Sequence, residues 1–119
     1  MCGILGASFL EGAINPDRFA DSLNLISHRG PDSTGSWFND SKQDALGFKR
    51  LSILDLSDKG NQPFTSHCGQ YKMVFNGEIY NFTNLKKLLI KENYIFRSNS
   101  DTEVLLNAYA AWGAECLQK

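Results

Sequence analysis

Charge of one sign, long apolar runs, paired cysteines and glycine-rich loops are all scarce in this sequence. Twelve Lys and Arg stand against 13 Asp and Glu, a net charge of −1, which leaves no electrostatic footprint for nucleic acid or an anionic membrane. No window approaches the roughly 18 consecutive apolar residues that a membrane span needs. The opening Met1-Cys2-Gly3-Ile4-Leu5-Gly6 has neither the basic start nor the apolar stretch of a signal peptide. The three cysteines, Cys2, Cys68 and Cys116, are odd in number and widely spaced, which argues against a secreted disulfide framework and for a reduced, cytoplasmic chain. His28, His67 and the cysteines show no paired metal-ligand spacing, so no metal is expected. Gly3-Ile4-Leu5-Gly6 has no Lys-Ser/Thr behind it, so no phosphate-cradling loop is expected either. What remains is ordinary globular material: 119 residues, 42% hydrophobic and 21% charged, too apolar for a disordered tail and enough for at most one domain.

Apolar Ile4 to Leu10 reads as a buried strand. Asn15 caps a helix with Pro16 in its first turn, and Phe19, Leu23 and Ile26 share one face of it. His28 to Ser33 is a rigid charged turn that could wall a site. Gly35–Phe38 and Ala45–Lys49 read as strands paired across a polar turn at 39–43. A polar loop at 56–63 leads to a strand from Tyr71 to Phe75, ending in Asn76-Gly77. A second helix buries Leu85, Leu88 and Leu89, with Lys86, Lys87 and Lys91 on its wet side. Ser100-Asp101-Thr102-Glu103 is a capping box, opening a helix whose core positions are Leu105, Tyr109 and Trp112, with Gly113 as its stop. Four or five strands and three helices leave an open sheet edge, and the ending 114–119 completes nothing, so the chain is expected to be the front of a larger domain.

Cys2 is placed for chemistry. Removal of Met1 would give one residue both a thiol and a free α-amine titrating near working pH, the pairing that N-terminal nucleophiles use. Its plainer reading is a small buried residue on the first strand. Asn76 and Gly77 could offer two hydrogen-bond donors to an acyl oxyanion, or form a hairpin turn. Arg50 could grip a carboxylate bidentately, or make a surface salt bridge. Asp101 could bind an ammonium group, or favour the positive end of its helix.

In this order, MCGILG, HRGPDSTG at 28–35, RLSILDLS at 50–57, QPF at 62–64, NGEIYN at 76–81 and SDTEVLL at 100–106 resemble the class II glutamine amidotransferase domain. This is an N-terminal-nucleophile glutaminase, and the likeness is greatest to glutamine-hydrolysing asparagine synthetases. The motifs span essentially the whole chain. The resemblance implies an α+β fold, an αββα sandwich of antiparallel sheets, present here as a partial type 2 domain over 1–119 and incomplete at its C-terminus. It implies Cys2 as nucleophile with its own amine as base, and Asn76 and Gly77 as oxyanion hole. Arg50 would hold the glutamine α-carboxylate with help from Leu51, Ser52, Ile53 and Leu54, while Glu78 and Asp101 would take the α-ammonium. Ammonia would pass to a synthetase domain or partner, for an amidation such as aspartate to asparagine. ATP and magnesium belong to that missing domain, and this chain carries no cofactor. Ser27 and Phe48 stand where the family often has a basic residue and His.

Two other functions fit the residues less closely. One is a catalytically silent fragment that binds glutamine or a protein partner, its open edge also suiting a homo-oligomer. The other is a zinc or redox protein built on the three cysteines. Neither a nucleic-acid nor a membrane partner is expected.

Overall fold

The computed structural model describes residues 1–52 and 60–119. It is an α+β protein, and the five strands among the described residues all pair antiparallel. In order, β1 is Gly3–Ser8, α1 Pro16–Asn24, β2 Ser33–Phe38, β3 Asp44–Arg50, β4 Phe64–Thr65, β5 Lys72–Met73, α2 Phe82–Lys91 and α3 Asp101–Trp112. Short 3-10 turns occupy Ser27–Arg29 and Gly113–Gln118.

Strand β3 is the centre of the main sheet, which runs β1-β3-β2, and β4 pairs with β5 in a second, two-stranded sheet. The β2–β3 hairpin turns at the expected polar segment, where Asn39 N–H donates to Asp44 O at 3.0 Å and Asn39 Oδ1 accepts Asp44 N–H at 3.0 Å.

Register decides which side chains share a face, because directly paired residues project from the same side. Gly3, Leu5 and Ala7 face Lys49, Gly47 and Ala45. On this side lies α1: a Cβ on Gly47 would sit 3.0 Å from Leu23 and 3.1 Å from Phe19, and Ile14, Phe19 and Ala45 form a buried cluster with Leu5, Ala7 and Phe38. Buried Lys49 is satisfied here by Asn24 Oδ1 at 2.8 Å and Thr34 Oγ1 at 2.9 Å. On the opposite side, a Cβ on Gly35 would sit 1.9 Å from the Gln62 carbonyl oxygen and 3.2 Å from Pro63 Cδ. Residues 62–63 therefore lie directly on β2, and Phe64 carries the chain on into the second sheet.

The cap Asn15 accepts Arg18 N–H at 3.0 Å, as its sequence position implies. Helix α1 stops at Asn24, short of Ile26, and β1 stops at Ser8, leaving Phe9 and Leu10 exposed. Helices α2 and α3 pack through Leu85, Leu89, Val104 and Ala108, joined by Cys116 from the terminal 3-10 turn.

Several sequence expectations need correction here. Leu88 is 45% exposed, whereas Lys86 is half-buried, its ammonium 4.9 Å from the Phe96 ring centroid and donating to Ser98 O and Asn99 Oδ1 at 3.1 Å. In α3 the fully buried apolar positions are Val104, Leu106 and Ala108; Leu105 and Trp112 are half-buried and Tyr109 is exposed. Helix α3 touches α2, β4 and the terminal turn, so more than one stripe of it is covered. Ser100 Oγ accepts Glu103 N–H at 3.3 Å, but the returning carboxylate overshoots the cap. It takes Arg97 N–H at 2.8 Å and Ser98 N–H at 2.7 Å instead, while Ser100 N–H goes to Ser98 Oγ.

Candidate functional site

Extending the β1–β3 register by one residue places Cys2 across from Arg50, and Ser33 of β2 pairs with Arg50 on its other side. All three side chains thus project from the face that Gln62 and Pro63 cover, away from α1. Cys2 is half-buried. Its Sγ accepts Leu51 N–H at 3.3 Å and donates to Leu51 O at 3.7 Å. The backbone of a single residue thus fixes where the sulfur sits.

Arg50 is buried at 7% exposure, so it is no surface salt-bridge residue. Its Nη1 donates to Asn61 Oδ1 at 2.9 Å, and Ser33 Oγ donates to the same oxygen at 3.2 Å. The charged turn ties into this corner. Arg29 Nε donates to Cys2 O at 3.2 Å, Asp32 N–H to Arg50 O at 3.0 Å, and Ser52 N–H to Asp32 Oδ2 at 2.7 Å. Leu51 and Ser52 are half-buried beside it; Ile53 and Leu54 lie outside the described residues.

Asn76 and Gly77 do not form a hairpin: β5 ends at Met73, and α2 follows at Phe82 without a returning strand among the described residues. The reason lies one residue earlier. Phe75 N–H donates to Gln62 Oε1 at 2.6 Å, and Gln62 Nε2 donates to Phe75 O at 3.2 Å. A side-chain amide here replaces the strand partner. Asn76, Gly77 and Glu78 are exposed, and Ile79 N–H donates to Asp101 Oδ2 at 3.0 Å, which fastens the far end of the turn to the first residue of α3. Asp101 therefore braces the turn as well as suiting its helix terminus. Among the described residues no hydrogen bond joins Cys2 to Asn76 or Gly77. They are linked through Arg50, Asn61, Gln62 and Phe75. Asn61 and Gln62 were not expected among the site residues, and Asp32 only as part of a turn that could wall a site; the only sequence signal for Gln62 was its place in the QPF motif.

Other features stand apart. A cleft of about 450 Å³ is lined by His67, Cys68, Tyr71, Glu92, Tyr94 and Asn107, among others, and does not reach Cys2. The Cys68 thiol is held below its ordinary pKa, first by the Ser66 hydroxyl 3.2 Å away and then by backbone groups. Burial pushes the Cys116 thiol up. All three cysteines are free, and no helix among the described residues is long and apolar enough to cross a membrane.

A thiol one residue before an edge strand, a buried guanidinium on the central strand and a clamped Asn-Gly turn are thus set in an α+β domain. Comparison with known proteins places it: the glutamine amidotransferase domain family matches residues 1–119, and the chain belongs to that family. It is similar to the amidase chry2 of Gibberella zeae, 47% identical over 77% of this chain and 14% of that protein. Two glutamine-hydrolyzing asparagine synthetases of Bacillus subtilis are also similar. Number 1 is 38% identical over 100% of this chain and 19% of its own length, and number 3 is 36% identical over 98% and 19%. The chain therefore spans a fifth or less of each of these relatives.

Proposed function

We propose that this chain hydrolyses the side-chain amide of glutamine with Cys2 as the nucleophile, as part of an N-terminal-nucleophile αββα sandwich. The observation that carries the reading is the Cys2 sulfur bonded to the Leu51 backbone, one residue from the buried Arg50. The layering of α1, the main sheet and residues 62–64 supports the sandwich.

Removal of Met1 frees the Cys2 amine, which takes the thiol proton as the sulfur adds to the amide carbon. Asn76 and Gly77 donate to the oxyanion. Collapse of the tetrahedral species breaks the C–N bond, and the proton held by the Cys2 amine leaves with ammonia. Water then attacks the γ-glutamyl thioester, giving glutamate and the free thiol. Arg50 holds the substrate α-carboxylate, with the segment from Leu51 to Leu54 beside it. Glu78 and the Asp101 oxygen not engaged by Ile79 take the α-ammonium. Ammonia passes to an ATP-dependent synthetase domain or partner for an amidation such as aspartate to asparagine, in line with the likeness to glutamine-hydrolyzing asparagine synthetases. In this reading ATP and magnesium are bound by that partner. Three free cysteines fit a cytoplasmic setting.

A glutaminase assay on the purified chain tests this, with intact mass establishing that one methionine has been lost. Cys2→Ala is expected to abolish turnover, and Asn76→Ala to retain about one part in 10²–10³, the usual cost of one oxyanion donor. Equal turnover by Cys2→Ala and the parent would overturn the mechanism.

A further inference from the structure

We infer that the dipeptide Asn61–Gln62 is the positioning element of the site, Asn61 setting the substrate-gripping guanidinium and Gln62 setting the oxyanion corner. The inference rests on the proposed glutaminase reading and adds to it two residues that touch no substrate.

Gln62 is buried, at 8% exposure, in a position that gives its amide a single partner residue. Both ends of that amide are spent on the backbone of Phe75, at 2.6 Å and 3.2 Å. The two bonds fall on the two peptides that flank the Phe75 Cα, so together they hold the backbone of that residue as a paired strand would. Phe75 is joined directly to Asn76, and the Nε2 bond to Phe75 O holds one end of the Phe75–Asn76 peptide, so the Asn-Gly turn starts from a point that Gln62 fixes. The backbone of Gln62 has no slack of its own, because its carbonyl lies against β2 where only the absent side chain of Gly35 leaves room. The neighbouring Asn61 offers one oxygen to Arg50 and to Ser33. Arg50 in turn precedes Leu51, whose N–H and C=O hold the Cys2 sulfur. Adjacent residues thus hold the two halves of the site at one spacing relative to the nucleophile.

The two roles separate in kinetics. A grip on the α-carboxylate is equal in ground and transition state, whereas oxyanion stabilisation appears only as the sulfur adds. The probe is a glutamine-shaped chloroketone that alkylates Cys2, followed by intact mass and by loss of glutaminase activity. Its KI and kinact are both independent of the fraction of protein that is active, which a purely structural defect would change. Gln62→Met keeps the chain length without either hydrogen bond, and is expected to lower kinact by about tenfold or more with KI within about twofold. Asn61→Ala is expected to raise KI by about tenfold with kinact within about twofold. If Gln62→Met does not fold, Gln62→Asn, whose amide falls one methylene short, takes its place with the same expectation.

Parallel changes in both constants for both variants, or no change in either, would overturn the inference while leaving the glutaminase reading intact. A parent protein that the chloroketone does not alkylate at Cys2 would overturn that reading first, and the inference with it.

Discussion

The three thiols occupy three different environments, and their reactivities should follow. Cys68 is exposed on the turn between β4 and β5, with a hydroxyl 3.2 Å from its sulfur, and its pKa is lowered. Cys116 is buried against α2 and α3, and its pKa is raised. Because the thiolate is the reacting form, a lowered pKa brings alkylation in at lower pH, and a raised one delays it. In iodoacetamide labelling of the folded protein followed by peptide mass spectrometry, the pH of half-maximal rate for Cys68 should lie below that of an unperturbed thiol. Cys116 should also stay unlabelled until the protein unfolds. Equal rates at neutral pH in the folded protein would show that the environments do not differ. Neither contrast was legible in sequence, where the cysteines differed only in position.

At the scale of elements, the contact between β2 and residues 62–63 is the tightest junction near the site. Gly35→Ala would drive a methyl into the Gln62 carbonyl, whereas Gly6→Ala meets only Leu46 Cδ2 at 3.9 Å. Urea unfolding should show Gly35→Ala destabilised by about 1–3 kcal/mol, the cost of forced overpacking, and Gly6→Ala within about 0.5 kcal/mol of the parent. Similar midpoints for the two variants would contradict the close approach. The elements themselves were largely readable: the Asn15 cap, the 39–43 hairpin and the Ser100 cap all follow from local chemistry. Where the reading failed, a distant partner intervened. The strand expected to run to Phe75 ends at Met73, and the amide of Gln62 occupies the Phe75 backbone. Helix α3 shows no single apolar stripe in its burial because it is covered from several directions. The site residues carried by motif lie as separate pieces in the sequence. The contact of Cys2 with Leu51 needed the pairing of β1 with β3, and the buried state of Arg50 needed the layer above it.

For the molecule as a whole, β1 is an edge strand, and the two-stranded sheet has both its edges unpaired among the described residues. Just beyond β1, Leu10 is 98% and Phe9 48% exposed. Unprotected edges flanked by large apolar side chains invite pairing between chains. Light scattering at high protein concentration is expected to give a mass above the monomer, and the double change Phe9→Lys and Leu10→Lys should lower it toward the monomer. A monomeric parent would remove the basis for this expectation.

The ladder between β1 and β3 has one more implication. Alternation along a strand is strict, so a slide of one residue exchanges its two sides completely. Lengthening β1 internally by an odd number of residues, with the pairing of Ser8 to Asp44 kept, would turn the sulfur toward Leu23 and Lys49. An even number would return it to Arg50. Whether this chain can present its thiol to anything is thus a matter of parity, counted over six residues.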